Sequence, residues 1–236
     1  VGTEQRPPWG QFPGIRYTLE KWGVLPGGSS KSDVTNLGVK PSKYFVRTDN
    51  PVKAIEKDLR ETRPELVVMA THGRSGLSRL FHPSICKDVI RKTKLPTLMI
   101  PYGSSGFVDL ETGACCLQRV LVPVSPEVQP GLAVDLARRL VESLETQAVQ
   151  IRIFYVGESD EMPVFDISDD EKAGWETVCR QGDVLAELTE ELRSFVPQLL
   201  VMLGRGRDSV LDFLLPGKIE QVASLAACPL LVKSII

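Results

Sequence analysis

Val67-Val68-Met69-Ala70-Thr71-His72-Gly73-Arg74-Ser75-Gly76-Leu77-Ser78-Arg79-Leu80 passes from a short apolar run into a glycine-containing loop and then into a basic segment. An apolar run without polar alternation suits a strand buried on both faces of a parallel sheet. The loop that follows sets backbone amides, and the positive end of a helix dipole, at the strand's carboxyl end. That is an anion-binding geometry. Open α/β sheets bind ligands at that end of their strands. The stretch therefore predicts the fold class and the place where any chemistry sits.

Working outward, the same pattern occurs twice. Asn50 to Ile100 lies over Asp183 to Lys233 without a gap. Leu59 falls on Leu192, Pro64 on Pro197, Val68 on Val201, Met69 on Met202, and Gly73-Arg74 on Gly206-Arg207. Pro83, Val89, Pro96 and Leu98 fall on Pro216, Val222, Pro229 and Leu231. Gly and Pro punctuate a chain at fixed backbone positions, so their coincidence predicts a duplicated unit. Each unit reads as helix, strand, glycine loop, helix and last strand. Asn50 with Pro51, and Asp183, supply the caps of the first helix. Val52, Ile55 and Leu59, like Leu185, Leu188 and Leu192, repeat at helical spacing.

The second unit also shows a beginning. Arg119–Val124 reads as its first strand, Leu132, Leu136, Leu140 and Leu144 as a helix stripe, Gln150–Val156 as a second strand and Trp175–Arg180 as a third. Alternating strands and helices predict a parallel sheet with right-handed crossovers. The fold class is thus α/β, with two tandem doubly wound, Rossmann-like domains. The expected boundaries are 1–101 for the first domain, 102–116 for a linker and 117–236 for the second domain. The first domain carries a long loop over 4–38, whose middle, Ile15–Leu25, reads as a short helix. It lacks an initial strand and helix, which are expected upstream of Val1. Val68 and Val201 are expected to be buried at equivalent places, and the last strands of the two units to meet, because each edge offers unpaired backbone groups to the other.

Composition narrows the function. The chain has 236 residues, 42% hydrophobic and 25% charged, with a net charge of −2. That balance hides 17 Lys and Arg against 11 Asp and Glu up to Leu117, then 11 against 19 from Gln118 onward. Basic residues form no run that tracks nucleic acid, and no apolar run is long enough to span a bilayer. The five cysteines have no metal-knuckle spacing and fit reduced thiols in a cytoplasmic protein. Seven acids between Glu158 and Glu171 read as a solvated loop. No nucleophile–base pair, metal cluster or Gly-Lys-Ser/Thr phosphate loop is present, so an enzyme is the weaker class.

The run Met69 to Leu80, with Val89-Ile90-Arg91-Lys92-Thr93-Lys94-Leu95-Pro96, resembles the universal stress protein family. That family's signature is Gly, two residues, Gly, nine residues, then Gly followed by Ser or Thr. Here Ala70 stands at the first Gly, Gly73 and Ser84 match, and Pro83 replaces the third Gly, removing one N–H from the phosphate cradle. The resemblance implies adenine nucleotide, ATP or AMP, bound weakly by the first domain through Ala70, His72, Gly73, Arg74, Ser75, Gly76 and Ser84. It also implies pairing of the two domains through their last strands, a homodimer or an unidentified protein partner, and a role in stress response. In the second domain Leu203 replaces the first Gly, Pro216-Gly217 the Gly-Ser pair, and Ser125 the Asp that ends the first strand in nucleotide-binding members. That domain is expected to bind no nucleotide. An alternative reading is a cytosolic regulatory domain pair belonging to a larger protein such as a membrane transporter.

Overall fold

The computed structural model describes residues 14–44, 46–70, 83–101, 103–104, 106–144, 146, 148–168, 171, 173–205 and 228–235. The 4–38 loop carries helix α1 (Ile15–Lys21), as its composition predicts, and a second helix, α2 (Lys31–Asn36). α2 is set by a capping box, in which the Ser30 hydroxyl accepts from Asp33 N–H and the Asp33 carboxylate accepts from Ser30 N–H. Helix α3 (Pro51–Thr62) starts where Asn50 Oδ1 accepts the Lys53 N–H at 3.0 Å. It is followed by strand β1 (Val67–Ala70), helix α4 (Pro83–Thr93) and strand β2 (Thr97–Ile100).

The later part of the chain follows the sequence reading closely. Strand β3 (Arg119–Pro123) leads into helix α5 (Pro130–Ser143), then strand β4 (Gln150–Val156) and strand β5 (Trp175–Arg180). Helix α6 (Val184–Phe195) starts where Asp183 Oδ1 accepts Leu185 and Ala186 N–H groups. Strand β6 (Leu199–Arg205) and strand β7 (Leu230–Ile235) complete the described elements.

The strands form one sheet in the order β1-β2-β7-β6-β3-β4-β5. Every neighbouring pair is parallel except β2 and β7. From β5 to β7 the order is doubly wound, with β3 in the centre and the chain winding outward to either side. Alternate strand residues face opposite layers. Val120, Val122, Ile151, Leu199, Val201 and Leu231 share one cluster with Ala133 and Ala137 of α5. Leu121, Phe154, Leu200, Met202 and Val232 share the other with Leu188, Leu192 and Phe195 of α6 and with Ile90 of α4. Burial of both faces explains why these strands read as unbroken apolar runs.

The matched sequence positions also match in space. The helices α3 and α6 both end in a left-handed, non-glycine residue, Arg63 (φ 46°) and Val196 (φ 48°). Each of these N–H groups returns to the carbonyl four residues back, Leu59 and Leu192. The next residue is Pro64 or Pro197, which cannot continue a helix. Val67 pairs with Thr97 as Leu200 pairs with Leu230, and Ala70 with Ile100 as Leu203 with Lys233. Val67 N–H donates to Pro96 O at 2.9 Å, and Leu200 N–H to Pro229 O at 3.0 Å. β2 and β7 then run antiparallel with Leu98 opposite Leu231, Thr97 opposite Val232 and Met99 opposite Leu230. Leu98 thus faces its own counterpart.

One expectation is corrected. Val201 is fully buried, but Val68 is 56% exposed. β6 lies between β3 and β7, whereas β1 has β2 on one side and no strand on the other among the described residues. With no strand on that side among the described residues, Val68 keeps its contact with water. The earlier part contributes β1 and β2 among the described residues, which neighbour each other in parallel as β6 and β7 do. The residues that match β5 at the same offset, 42–44 and 46–47 among those described, lie outside any strand, with Tyr44 and Val46 exposed.

The stretch read as a linker is more than a tether. Phe107 to Cys116 folds into a hairpin, with Val108 bridged to Cys115 and Cys116 N–H donating to Phe107 O. Phe107 is buried in the α5-side core. Trp22, capping α1, lies against Gly113 and donates its indole N–H to Leu110 O at 3.1 Å. Gly113 (φ 75°) has no room for a Cβ beneath that ring.

Candidate functional site at the carboxyl edge of the sheet

A doubly wound sheet opens a crevice where neighbouring strands send their chains in opposite directions, outside the strands' carboxyl ends. Here that point lies between β3 and β6. β3 ends at Pro123, and Val124 N–H donates to Phe154 O at 2.9 Å, holding the exit of the strand against β4. Ser125 then closes the turn, its carbonyl accepting from Val128 N–H and its hydroxyl from Glu127 N–H. Gln129, in the left-handed region, hands the chain to Pro130 at the first position of α5. Ser125 is thus committed to the turn and offers no carboxylate to a ribose or an adenine.

Across the crevice, β6 presents Leu203, 3% exposed. Leu203 packs in one cluster with Val122, Val128 and Ala133. The floor of this crevice is therefore an apolar plug, built from a residue whose sequence counterpart in β1 is Ala70. Ala70 ends β1 opposite Ile100 and is exposed. The two equivalent strand ends thus differ: Leu203 is buried in the core and Ala70 is exposed.

Of the site residues expected from sequence, the structure places Ala70 at that open strand end and Ser84 as the second residue of α4. The side chain of Ser84, and all of His72, Gly73, Arg74, Ser75 and Gly76, lie outside the described residues, as do Gly206, Arg207, Pro216 and Gly217. β1 and α4 thus bracket the expected loop. α4 has no acidic residue in its first turn, so nothing there opposes the positive end of its dipole. Cys86, in the second half of the same helical turn, is half-buried, and burial pushes its thiol up, away from the thiolate that a nucleophile requires.

Arg152, Tyr155 and Arg138 are ionisable groups built into the scaffold. Arg152 on β4 is bonded to Glu191, itself almost wholly buried on α6, and to Glu176 on β5, with its guanidinium 4.0 Å from the Phe195 ring centroid. Burial pulls the Arg152 value down, but the hydrogen bonds to Glu176 and Glu191 outweigh it and hold the charge. Tyr155, near the end of β4, has its phenol pushed up, first by burial and then by the carboxylates of Glu161, Glu158 and Asp160 around it. Sequence reasoning missed Arg138. Its guanidinium bonds Asp135, Glu171 and the Asp166 carbonyl and lies 5.4 Å from the Trp175 ring centroid. The only sequence signal for it was an acid one helical turn before it, at Asp135.

The universal stress protein family matches residues 16–101. The structure of a universal stress protein from Archaeoglobus fulgidus DSM 4304 is similar with a TM-score of 0.59 at 17% identity, covering 86% of this chain and 72% of that one. A functionally unknown protein from Pseudomonas aeruginosa PAO1 is similar with a TM-score of 0.60 at 11% identity, over 86% of this chain and 74% of its own. At these identities the likeness is one of fold. No curated protein sequence matches the chain. No helix among the described residues is long and apolar enough to cross a membrane.

Proposed function

From a chain whose residues 16–101 match the universal stress protein family, we propose a stress-response binding protein built as an internal pair. One half is specialised for nucleotide and the other for holding the first in place. The second domain begins at about residue 117, and β2 and β7 join the two halves as like strands around the Leu98–Leu231 contact. The nucleotide, ATP or AMP, is bound weakly at the carboxyl end of β1 by Ala70, His72, Gly73, Arg74, Ser75, Gly76 and Ser84. The observation that carries this reading is the contrast between exposed Ala70 and buried Leu203 at matching strand ends. The basic balance of the first half favours a polyphosphate there, and the acidic balance of the second disfavours one.

Titration calorimetry with ATP on the full chain tests the assignment. The native protein is expected to bind, Gly206→Val to bind equally, and Gly73→Val to lose binding. Loss with Gly206→Val alone would move the site to the second half. No binding by the native chain would leave a nucleotide-independent interaction protein.

A further inference from the structure

Residues 14–36 are bonded mostly to themselves. Val24 and Leu25 N–H groups turn back to Leu19 O, the Ser29 hydroxyl donates to Pro26 O, and the capping box closes α2. Helix α1 buries none of its residues. Leu25 and Val34 are buried but belong to neither core cluster of the sheet. Among the described residues, the side-chain bonds that leave the segment both end on the 107–116 hairpin. Lys21 Nζ reaches Glu111 Oε1 at 2.9 Å, and the Trp22 indole N–H donates to Leu110 O at 3.1 Å. After Asn36 the chain has no helix or strand until Pro51 among the described residues, and 37–44 is exposed throughout.

The receiving side of this contact is fixed. Asp109 Oδ1 accepts Glu111 and Thr112 N–H groups and braces the hairpin's turn. At its root Cys116 N–H donates to Phe107 O, Gln198 Nε2 donates to Cys116 O at 2.8 Å, and Phe107 shares a core cluster with Val120 and Leu199. The Trp22 ring lies so close to Gly113 that a Cβ there would come within 2.4 Å of it. What holds the segment down is slight by comparison. The Lys21–Glu111 pair is 36% and 79% exposed, so water and salt screen it. One indole hydrogen bond makes a modest net contribution. A segment tied to the body this lightly opens locally, well before the whole fold does.

We propose that residues 14–36 form a strap that closes on the 107–116 hairpin and swings off it as a body, with the Trp22–Gly113 contact as its latch and the exposed stretch 37–44 as its hinge. Closed, the strap ties the chain ahead of α3 to a hairpin anchored in the second domain, a tie between the halves separate from β2 and β7. Open, it bares the Trp22 indole, the Leu110 carbonyl and the Gly113 backbone together, while the sheet stays intact.

Hydrogen exchange of the full chain, read residue by residue by NMR as protection factors, tests the strap. The Trp22 indole N–H is expected to be about tenfold or more less protected than Leu200 N–H, whose bond to Pro229 O belongs to the sheet. Gly113→Ala should lower the indole's protection a further five- to tenfold, roughly the share of one hydrogen bond. Glu111→Gln should lower it about twofold. In both variants Val24 N–H, inside the strap, and Leu200 N–H keep their protection. Where alanine at φ 75° disturbs the hairpin itself, Cys116 N–H loses protection as well. Trp22→Ala then carries the test, and is expected to shift the Leu110 and Gly113 amide signals while Leu200 stays protected. An indole as protected as Leu200 would overturn the proposal. So would a loss of Leu200 protection in step with the indole, an indole indifferent to both Gly113→Ala and Glu111→Gln, or unshifted Leu110 and Gly113 signals in Trp22→Ala.

Discussion

Glu171 shows how one residue can carry a condition-dependent share of stability. Its carboxyl is held below the ordinary carboxylate range, chiefly by the hydrogen bond from Arg138 and further by Ser168. A carboxyl depressed by folding contributes stability above its unfolded value, about 4.3 for Glu. That contribution is lost as pH falls through the folded value. Glu171→Gln is therefore expected to lower stability at pH 7, and the gap to the native protein should narrow as pH falls below about 4. Urea unfolding at pH 7 and pH 3 checks it, and a gap independent of pH would show that the side chain acts through packing alone. At this scale the sequence was only partly legible. Leu203 in place of glycine could be read directly as bulk at a strand end. Arg138 could not, because its partners Glu171 and Trp175 are brought to it by the fold and not by spacing along one helix.

At the scale of elements, caps and prolines were the most readable features. Asn50, Asp183, Pro64 and Pro197 act on backbone groups within a few residues, so their consequences are local and the helices α3 and α6 begin and end where they dictate. Strand burial was not legible, because it depends on what lies alongside. β1 and β6 share Val and Met at matching positions, Val68-Met69 and Val201-Met202, but have different neighbours, and those neighbours separate Val68 from Val201. The hairpin around Phe107 was missed for a similar reason: its glycines and short length resemble a tether, and only tertiary packing shows Phe107 in the core. The contrast gives a matched pair of substitutions. Val201→Ala removes buried methyl groups and is expected to cost about 1.5–3 kcal/mol. Val68→Ala, on a half-open surface, is expected to stay within about 0.5 kcal/mol. Denaturant midpoints of the two variants decide it, and equal costs would mean that β1 is covered on both faces as β6 is.

At the scale of the whole molecule, the two halves are joined where an edge strand of each would otherwise expose its backbone. A sheet edge is a liability that another edge can satisfy. β2 and β7 run antiparallel with Leu98 opposite Leu231, so matching residues of the repeat face each other. Ile90 from α4 extends the arrangement, entering the same core cluster as Leu230 and Val232 of β7. The sequence made this arrangement expected through the gapless offset of the two units, since copies of one unit present copies of one edge. The opposite charges of the two parts add a weak, salt-sensitive attraction. The most direct test of the account is the order of cross-strand contacts at the junction, read by NMR nuclear Overhauser effects between backbone protons. The antiparallel register predicts contacts of Thr97 with Val232 and of Met99 with Leu230, unchanged when labelled and unlabelled chains are mixed. Contacts of Thr97 with Leu230 and Met99 with Val232, contacts that appear only between different chains, or none between these strands, would contradict it.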